Sequence, residues 1–481
     1  MMKYIGFALL AVLGLLVALL AIAVIRTLLT KSKVSAYTPS ADEKRSALCA
    51  EKLSRMIQYE TVSHPDDLEI EKFRGFHKVL EELFPMVHQR LQKTEIDGNL
   101  LYCWKGRSSE KPILLMSHQD VVPAEGEWIH GPFSGDIADG KVWGRGAADI
   151  KSGILCFMQA VEELLESGYT PETDIYLASS CTEEWGGQGA PKLVEELKRR
   201  GVHLFMVCDE GGAIISEPIG GIKGNFAMVG LFEKGIGNVK FTARSGGGHA
   251  SAPPLRSPIA RLAAFVNDVE KHPPFKRKLS VEVTTMFSRL APYATFPLKL
   301  VLGNLWLFGP VLKKVMPMIS AQATAMLQTT IAFTMQSGSN GYNVLPQEAS
   351  VCANMRFIPH QGKDESLAVI EAKAKKYGLE MEIVNAHDYS PPVDIQGEAF
   401  RQIEQVIAQT FPGMGCSPYI VTGGTDARFY EEVSDACIRF CPVVYGPEQM
   451  KGMHGLNENV EYACLPNAVD FYKNLITLQK R

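Results

Sequence analysis

Five short clusters of acidic and imidazole side chains stand out in this chain of 481 residues. Ser117-His118-Gln119-Asp120 follows an apolar run, and Asp120 is spaced to accept a hydrogen bond from the His118 ring and fix its tautomer. In 144–151 a glycine-rich turn delivers Asp149 just ahead of a helical pattern. That position suits a helix N-cap, or a carboxylate with one oxygen for each of two cations. Thr182-Glu183-Glu184 closes a strand with two adjacent carboxylates, which repel unless a cation or proton intervenes. One of them suits ligation and the other proton transfer. Asp209-Glu210-Gly211-Gly212 ends another apolar strand, and His454-Gly455-Leu456-Asn457-Glu458 lies in a polar loop. Singly, each reads as a loop acid or a structural histidine. Together they predict one site, because open α/β sheets gather their functional groups outside the carboxyl ends of the strands. Mixed imidazole and carboxylate ligation suits zinc, with cobalt or manganese as alternatives. Two such ions about 3.5–4 Å apart activate a water and stabilise an oxyanion, while an unligated Glu carries the proton to the leaving group.

The elements that must position these groups follow from periodicity. Ile113–Met116 is an apolar run, 150–167 has helical spacing, 174–180 and 204–208 read as strands, and 189–200 reads as a helix between them. This alternation predicts an α/β sheet with helices on its faces. From Lys234 the order becomes β-α-β-β-α-β if 275–328 is set aside, a compact α+β unit, and after Pro391 and Pro392 the α/β character returns. The predicted organisation is a catalytic domain at 46–233 and 389–481 with an inserted lid at 234–388. The stretch 275–328 is strongly apolar, but Pro297, Pro310 and Lys299 interrupt it as a membrane span. It reads as core packing of an insertion, or else as an apolar wall for a greasy substrate or a surface that meets lipid.

At the N-terminus, Tyr4 to Ile25 carries no charge. A helix of that length, at about 1.5 Å per residue, reaches across a bilayer core of roughly 30 Å. A cleaved signal peptide is the rival, but its apolar region is about 7–15 residues. The longer run and the following Arg26, Lys31 and Lys33 favour an anchor at 1–26 with a polar tether at 27–45. The charge balance leans toward a cytoplasmic body and leaves the membrane side open. Hydrophobic residues make up 46% and charged residues 21%, so the remainder is globular, and a net charge of −4 provides no basic footprint for nucleic acid. Ten cysteines without regular spacing, Cys437 and Cys441 closest among them, read as small buried hydrophobes.

The ordered stretches SHQDVVPAEGEW, WGRGAADIKSG, TEEWGG, CDEGG, SGGGHASAPP, GGTDARFY and HGLNENV together resemble the M20 metallopeptidases, the aminoacylase and carboxypeptidase G2-like group. The likeness spans the chain after residue 45. NLWLFGPVLKKVMP and YNVLPQEASVCANMRF are most similar to the branch that holds carboxypeptidase S and the N-fatty-acyl-amino-acid synthase/hydrolase. The resemblance implies two zinc ions, one held by His118 and Asp209, the other by Glu184 and His454, with Asp149 bridging. It implies that Asp120 orients His118 and that Glu183 is the general base. It further implies that His249 stabilises the oxyanion, often in a neighbouring subunit of a homodimer formed through the inserted domain. Asn343, Arg356, Gly424 and Thr425 would hold a substrate carboxylate. The expected reaction is hydrolysis of an N-acyl amino acid, with a carboxypeptidase on short peptides and a membrane-tethered non-catalytic binding protein as the competing readings.

Overall fold

The computed structural model describes residues 2–65 and 68–479. Met1 of the expected anchor and residues 480–481 of the expected second catalytic segment lie outside the described residues.

At the centre lies a ten-stranded mixed sheet. Thr173–Ser179, Ser108–Met116, Met206–Asp209 and Cys437–Arg439 run side by side and parallel. Their side chains alternate between two apolar layers, as the pleat requires. Ile113 and Leu115 enter one layer with the helices Glu43–Gln58, Lys151–Glu166 and Leu465–Leu478. Leu114 and Met116 enter the other, against Gly189–Arg199 and Ala427–Tyr430. Burial on both faces explains why these strands read as continuous apolar runs. All ten cysteines are free and eight are buried, as expected for small hydrophobes.

A second sheet has the order Thr330–Ser337, Glu348–Phe357, Gly235–Arg244, Glu380–His387, all antiparallel, with Pro258–Lys271 and Lys363–Lys375 packed beside it. It is drawn from one continuous stretch of chain between two stretches that build the large sheet. The helices within the expected lid range 234–388 divide between the two sheets. The helices of 281–327 do not join the small sheet: Met286, Phe287, Leu290, Leu302 and Leu327 are buried in the core of the large one. Their apolar side chains find more surface there than on a four-stranded sheet already covered by two helices.

Met2–Leu29 is a single helix, and its Leu9–Leu29 part is long and apolar enough to cross a membrane. The expected tether 27–45 makes specific bonds to the body. Lys33 N–H donates to Pro292 O at 2.9 Å, Ala36 N–H to Gly413 O at 3.2 Å, and Ser35 Oγ accepts from Gly415 N–H at 2.8 Å. A stretch of polar residues reads as solvated unless the carbonyls and amides it pairs with are known, and these lie hundreds of residues away.

Candidate active site

The parallel strands carry His118, the Glu183-Glu184 turn and Glu210 out of the same sheet edge, since Met116 pairs with Ala178 and Leu115 with Cys208. Two other segments close over that edge. The strand Asn459–Glu461 pairs with Lys141–Trp143, and Gly144 N–H donates to Glu458 O at 2.8 Å, which brings His454 to Asp149. Glu458, fully buried, holds the turn below: one of its oxygens accepts N–H groups from Gly146, Ala148 and Asp149 at 2.8–3.1 Å, and the other takes Arg145 at 2.6 Å. The Asp149–Ile150 peptide is cis. Asp149 is not the helix N-cap; that position is Ile150, without a side-chain bond.

Asp149 divides its oxygens between two imidazoles. Oδ1 lies 3.2 Å from His118 Nε2, and Oδ2 lies 3.0 Å from His454 Nε2. Glu210 completes the first group at 3.3 Å from His118 Nε2, and Glu184 completes the second at 3.0 Å from His454 Nε2. These make two ligand sets that share one carboxylate. His118 Nδ1–H donates to the backbone carbonyl of Asp120 at 2.8 Å, which leaves Nε2 as the ligating nitrogen. The Asp120 carboxylate is 3.5 Å from the same Nδ1 and is engaged elsewhere. It accepts Ser63 Oγ–H at 2.7 Å and the N–H groups of Glu183 and Glu184 at 3.1 and 3.2 Å. Asp120 therefore orients the two glutamates as well as the histidine.

The charge pattern calls for cations. Burial, opposed by His118 and reinforced by Glu210, pushes Glu183 well above the usual carboxylate range. Burial also raises Glu184, and it raises Glu210 to about 7. The bonds from Asp149 and Glu184 raise His454 to about 10. For His118 burial works downward, but the Glu210 charge and the bonds to Asp120 and Asp149 carry it well above its ordinary value. Burial works upward on Asp149, and the bonds from the two imidazoles outweigh it and hold it low. One Glu184 oxygen is buried with no hydrogen-bond partner among the described residues. Converging carboxylates, imidazole nitrogens aimed at them and an orphaned oxygen fit a pair of divalent cations. His118, Asp149 and Glu210 would hold one, and Asp149, Glu184 and His454 the other.

Asp209 does not join either set, which corrects the expected assignment. It ends its strand on the same face as Val207, and its carboxylate accepts the N–H of Ala427 at 2.9 Å. Glu210, one residue on, points the other way. Thr425 departs from expectation too: its N–H and hydroxyl both donate to buried Glu233, at 2.8 and 2.6 Å, so neither faces a substrate. Glu233 in turn pairs with fully buried Arg439. Gly424 lies against the Arg428 guanidinium, where a side chain would collide with it. Arg356 donates to Asn354 at 3.1 Å and keeps one buried nitrogen without a partner among the described residues. Burial, aided by the charge of Arg428, lowers its pKa. Arg428, in the stretch GGTDARFY, has no role among the sequence expectations. His249 and Asn343 sit together at an exposed two-stranded sheet of Gly248–His249 and Val344–Leu345, where Ala250 N–H donates to Asn343 O at 3.0 Å. Neither joins the carboxylate cluster of its own chain.

A cavity of about 290 Å³ opens beside Asp149 and Glu210. Its wall is apolar and includes Ile215, Met228, Met286, Met326, Met450 and Met453. Met286 and Met326 come from the stretch 275–328, so that stretch both packs in the core and lines this cavity.

Residues 114–478 match the model of peptidase family M20/M25/M40. The N-fatty-acyl-amino acid synthase/hydrolase PM20D1 of Xenopus tropicalis is 33% identical over 477 residues, covering 96% of this chain and 93% of that protein. The probable carboxypeptidase S-like 2 of Dictyostelium discoideum is 32% identical over 484 residues, covering 96% and 92%. Among solved structures, the M20 family metallo-carboxypeptidase Sso-CP2 from Sulfolobus solfataricus superposes with a TM-score of 0.66 at 17% identity, covering 89% of this chain and 98% of that one. A dinuclear metal binding peptidase of the M20 family from Bacillus subtilis gives 0.56 at 14% identity, covering 91% and 99%.

Proposed function

We propose, from the premise that this chain belongs to peptidase family M20/M25/M40 and is a metallohydrolase of that family, that its substrates are N-acyl amino acids with long apolar acyl chains. The observation that carries this reading is the methionine- and isoleucine-walled cavity directly beside Asp149 and Glu210. It offers an acyl chain an apolar enclosure at the reacting amide. Arg356, with an unpaired buried guanidinium nitrogen, and the neighbouring Arg428 supply the opposite requirement, a cationic seat for the free carboxylate. The likeness to PM20D1 supports the same substrate class.

In this reading His118, Asp149 and Glu210 would hold one zinc ion, and Asp149, Glu184 and His454 a second. Bound there, the ions would supply an acidified water and positive charge for a developing oxyanion. Glu183 takes the proton from the attacking water and returns it to the amide nitrogen as the amino acid leaves. Asp120 keeps Glu183 in place through its backbone N–H. A catalyst of hydrolysis also serves the reverse condensation where fatty acid and amino acid are concentrated. The helix Met2–Leu29 is read as a membrane anchor, which places the site where such amphiphiles partition. The deciding assay compares oleoyl-phenylalanine with the dipeptide Gly-Leu at equal concentration. Preference for the acyl substrate is expected; strong preference for the dipeptide assigns the chain to short peptides and ends the lipid reading.

A further inference from the structure

The helix Leu305–Ile319 carries its apolar side chains on the wrong side for water. Trp306, Pro310, Val311, Val315, Met318 and Ile319 are all exposed, Met318 to 85%, and their spacing puts them on one face with Lys314. Gly309 and Met316 on the opposite face are buried. A contiguous exposed face of this kind marks a surface that is covered in use.

Its surroundings say by what. The buried Asn304, just before the helix, donates to Thr27 Oγ1 at 3.0 Å and reaches Ala23 O at 3.2 Å, both on the anchor helix. The same Asn304 accepts the indole N–H of Trp306 at 3.2 Å. Lys299 Nζ donates to the Thr30 carbonyl and, at 3.1 Å, to Ser32. The exposed face is thereby fixed against the end of a helix whose own apolar side chains are almost wholly uncovered. From 296 to 328 there is no acidic residue, while Lys313 and Lys314 are present, a balance that suits anionic headgroups. The helix ends at Ile319, and Gln322 and Met326 of the next helix, Ala321–Leu327, line the cavity beside Asp149 and Glu210.

We propose that the outer face of Leu305–Ile319 lies in the bilayer interface beside the anchor helix, and that amphiphilic substrate passes from the membrane along this face into the apolar cavity. The inference rests on the anchor and acyl-substrate readings above, so its test separates the three.

The full chain is reconstituted in vesicles of phosphatidylcholine with a minor fraction of phosphatidylserine, with or without bromine on the acyl chains. Flotation with the vesicles reports the anchor. Trp306 alone of the five tryptophans is among the exposed large hydrophobic residues, so the emission lost in Trp306→Phe isolates its signal. Bromolipid should quench most of that signal. An equal Trp306 contribution in both vesicle types, in a chain that floats, overturns the interfacial placement, and concentration-dependent self-association through this face would assign it to a second copy instead. The triple variant Val311→Asn, Val315→Asn, Met318→Asn tests the route. It should raise KM several-fold for vesicle-borne oleoyl-phenylalanine and leave kcat/KM for soluble acetyl-phenylalanine unchanged. Equal effects on both substrates overturn the route, and quenching without cleavage of either substrate refutes the acyl reading alone.

Discussion

Around Asp149, the imidazole of His118 lies within hydrogen-bond distance of Asp149 and Glu210, and that of His454 within the same reach of Asp149 and Glu184, with Glu183 on the adjoining turn. Such a cluster is stable only with cations or protons among its members, so changes to single residues separate ligation from proton transfer. Glu183→Gln should keep both metals, measured by elemental analysis, and lose roughly 10²–10⁴-fold in kcat, the range for removing a general base. Metal loss in that variant would instead make Glu183 a ligand. Glu210→Ala should bind fewer than two metals per chain. Asp209→Asn should keep two, because its carboxylate serves the Ala427 N–H and not the cluster, and its cost should appear in thermal stability. Equal metal loss in the two variants would restore Asp209 as a ligand.

At the scale of elements, the junction between the two sheets is built from buried charge. Lys234 follows the strand Asn225–Glu233 and donates to the carbonyls of Ala325 and Gln328, both at 2.9 Å, tying the junction to the helix Ala321–Leu327. Burial, with Arg356 nearby, lowers its pKa from 10.5 to about 7. Between pH 7 and 10.5 the unfolded chain holds a proton on this lysine that the folded chain has released, so this group makes stability rise with pH across that window. The penalty for the buried charge is fully present below the window. Lys234→Met should flatten the rise relative to the parent chain in urea titrations at successive pH values; a parallel dependence in both would show that Lys234 stays protonated when folded. Helix and strand positions were legible from periodicity, as with the helix expected at 189–200 and found at Gly189–Arg199 and the strand expected at 174–180 and found at Thr173–Ser179. The partner of 281–327 was not, because an apolar helix face is complementary to either sheet.

For the whole molecule, His249 and Asn343 bear on assembly. They lie at an exposed two-stranded sheet and do not join their own cluster, and the family resemblance implies that His249 completes the site of a second subunit. If so, His249→Ala and Glu183→Gln chains, each inactive alone, should regain about a quarter of parental activity after equal mixing and subunit exchange, since half the dimers are then mixed and each holds one intact site. No recovery, in samples shown by light scattering to have exchanged, would place His249 in its own chain's chemistry or outside it.

The amino-acid sequence by itself determined the chemistry available and where along the chain it lies: His118, Asp149, Glu183, Glu184 and His454, apolar strands that bring the first of these to one sheet edge, and an apolar N-terminal helix. Those features are local, set by residue type and by periods of 2 and 3.6. Tertiary structure alone decided which of two adjacent acids faces the cluster, that Thr425 is engaged by Glu233, and that Asp120 holds the Glu183 turn. It also decided that 281–327 walls the cavity. Each of these depends on pairings between residues far apart in the chain, such as Glu233 with Arg439, and on the hand of the pleat at a strand's last residue, which composition and spacing leave undetermined.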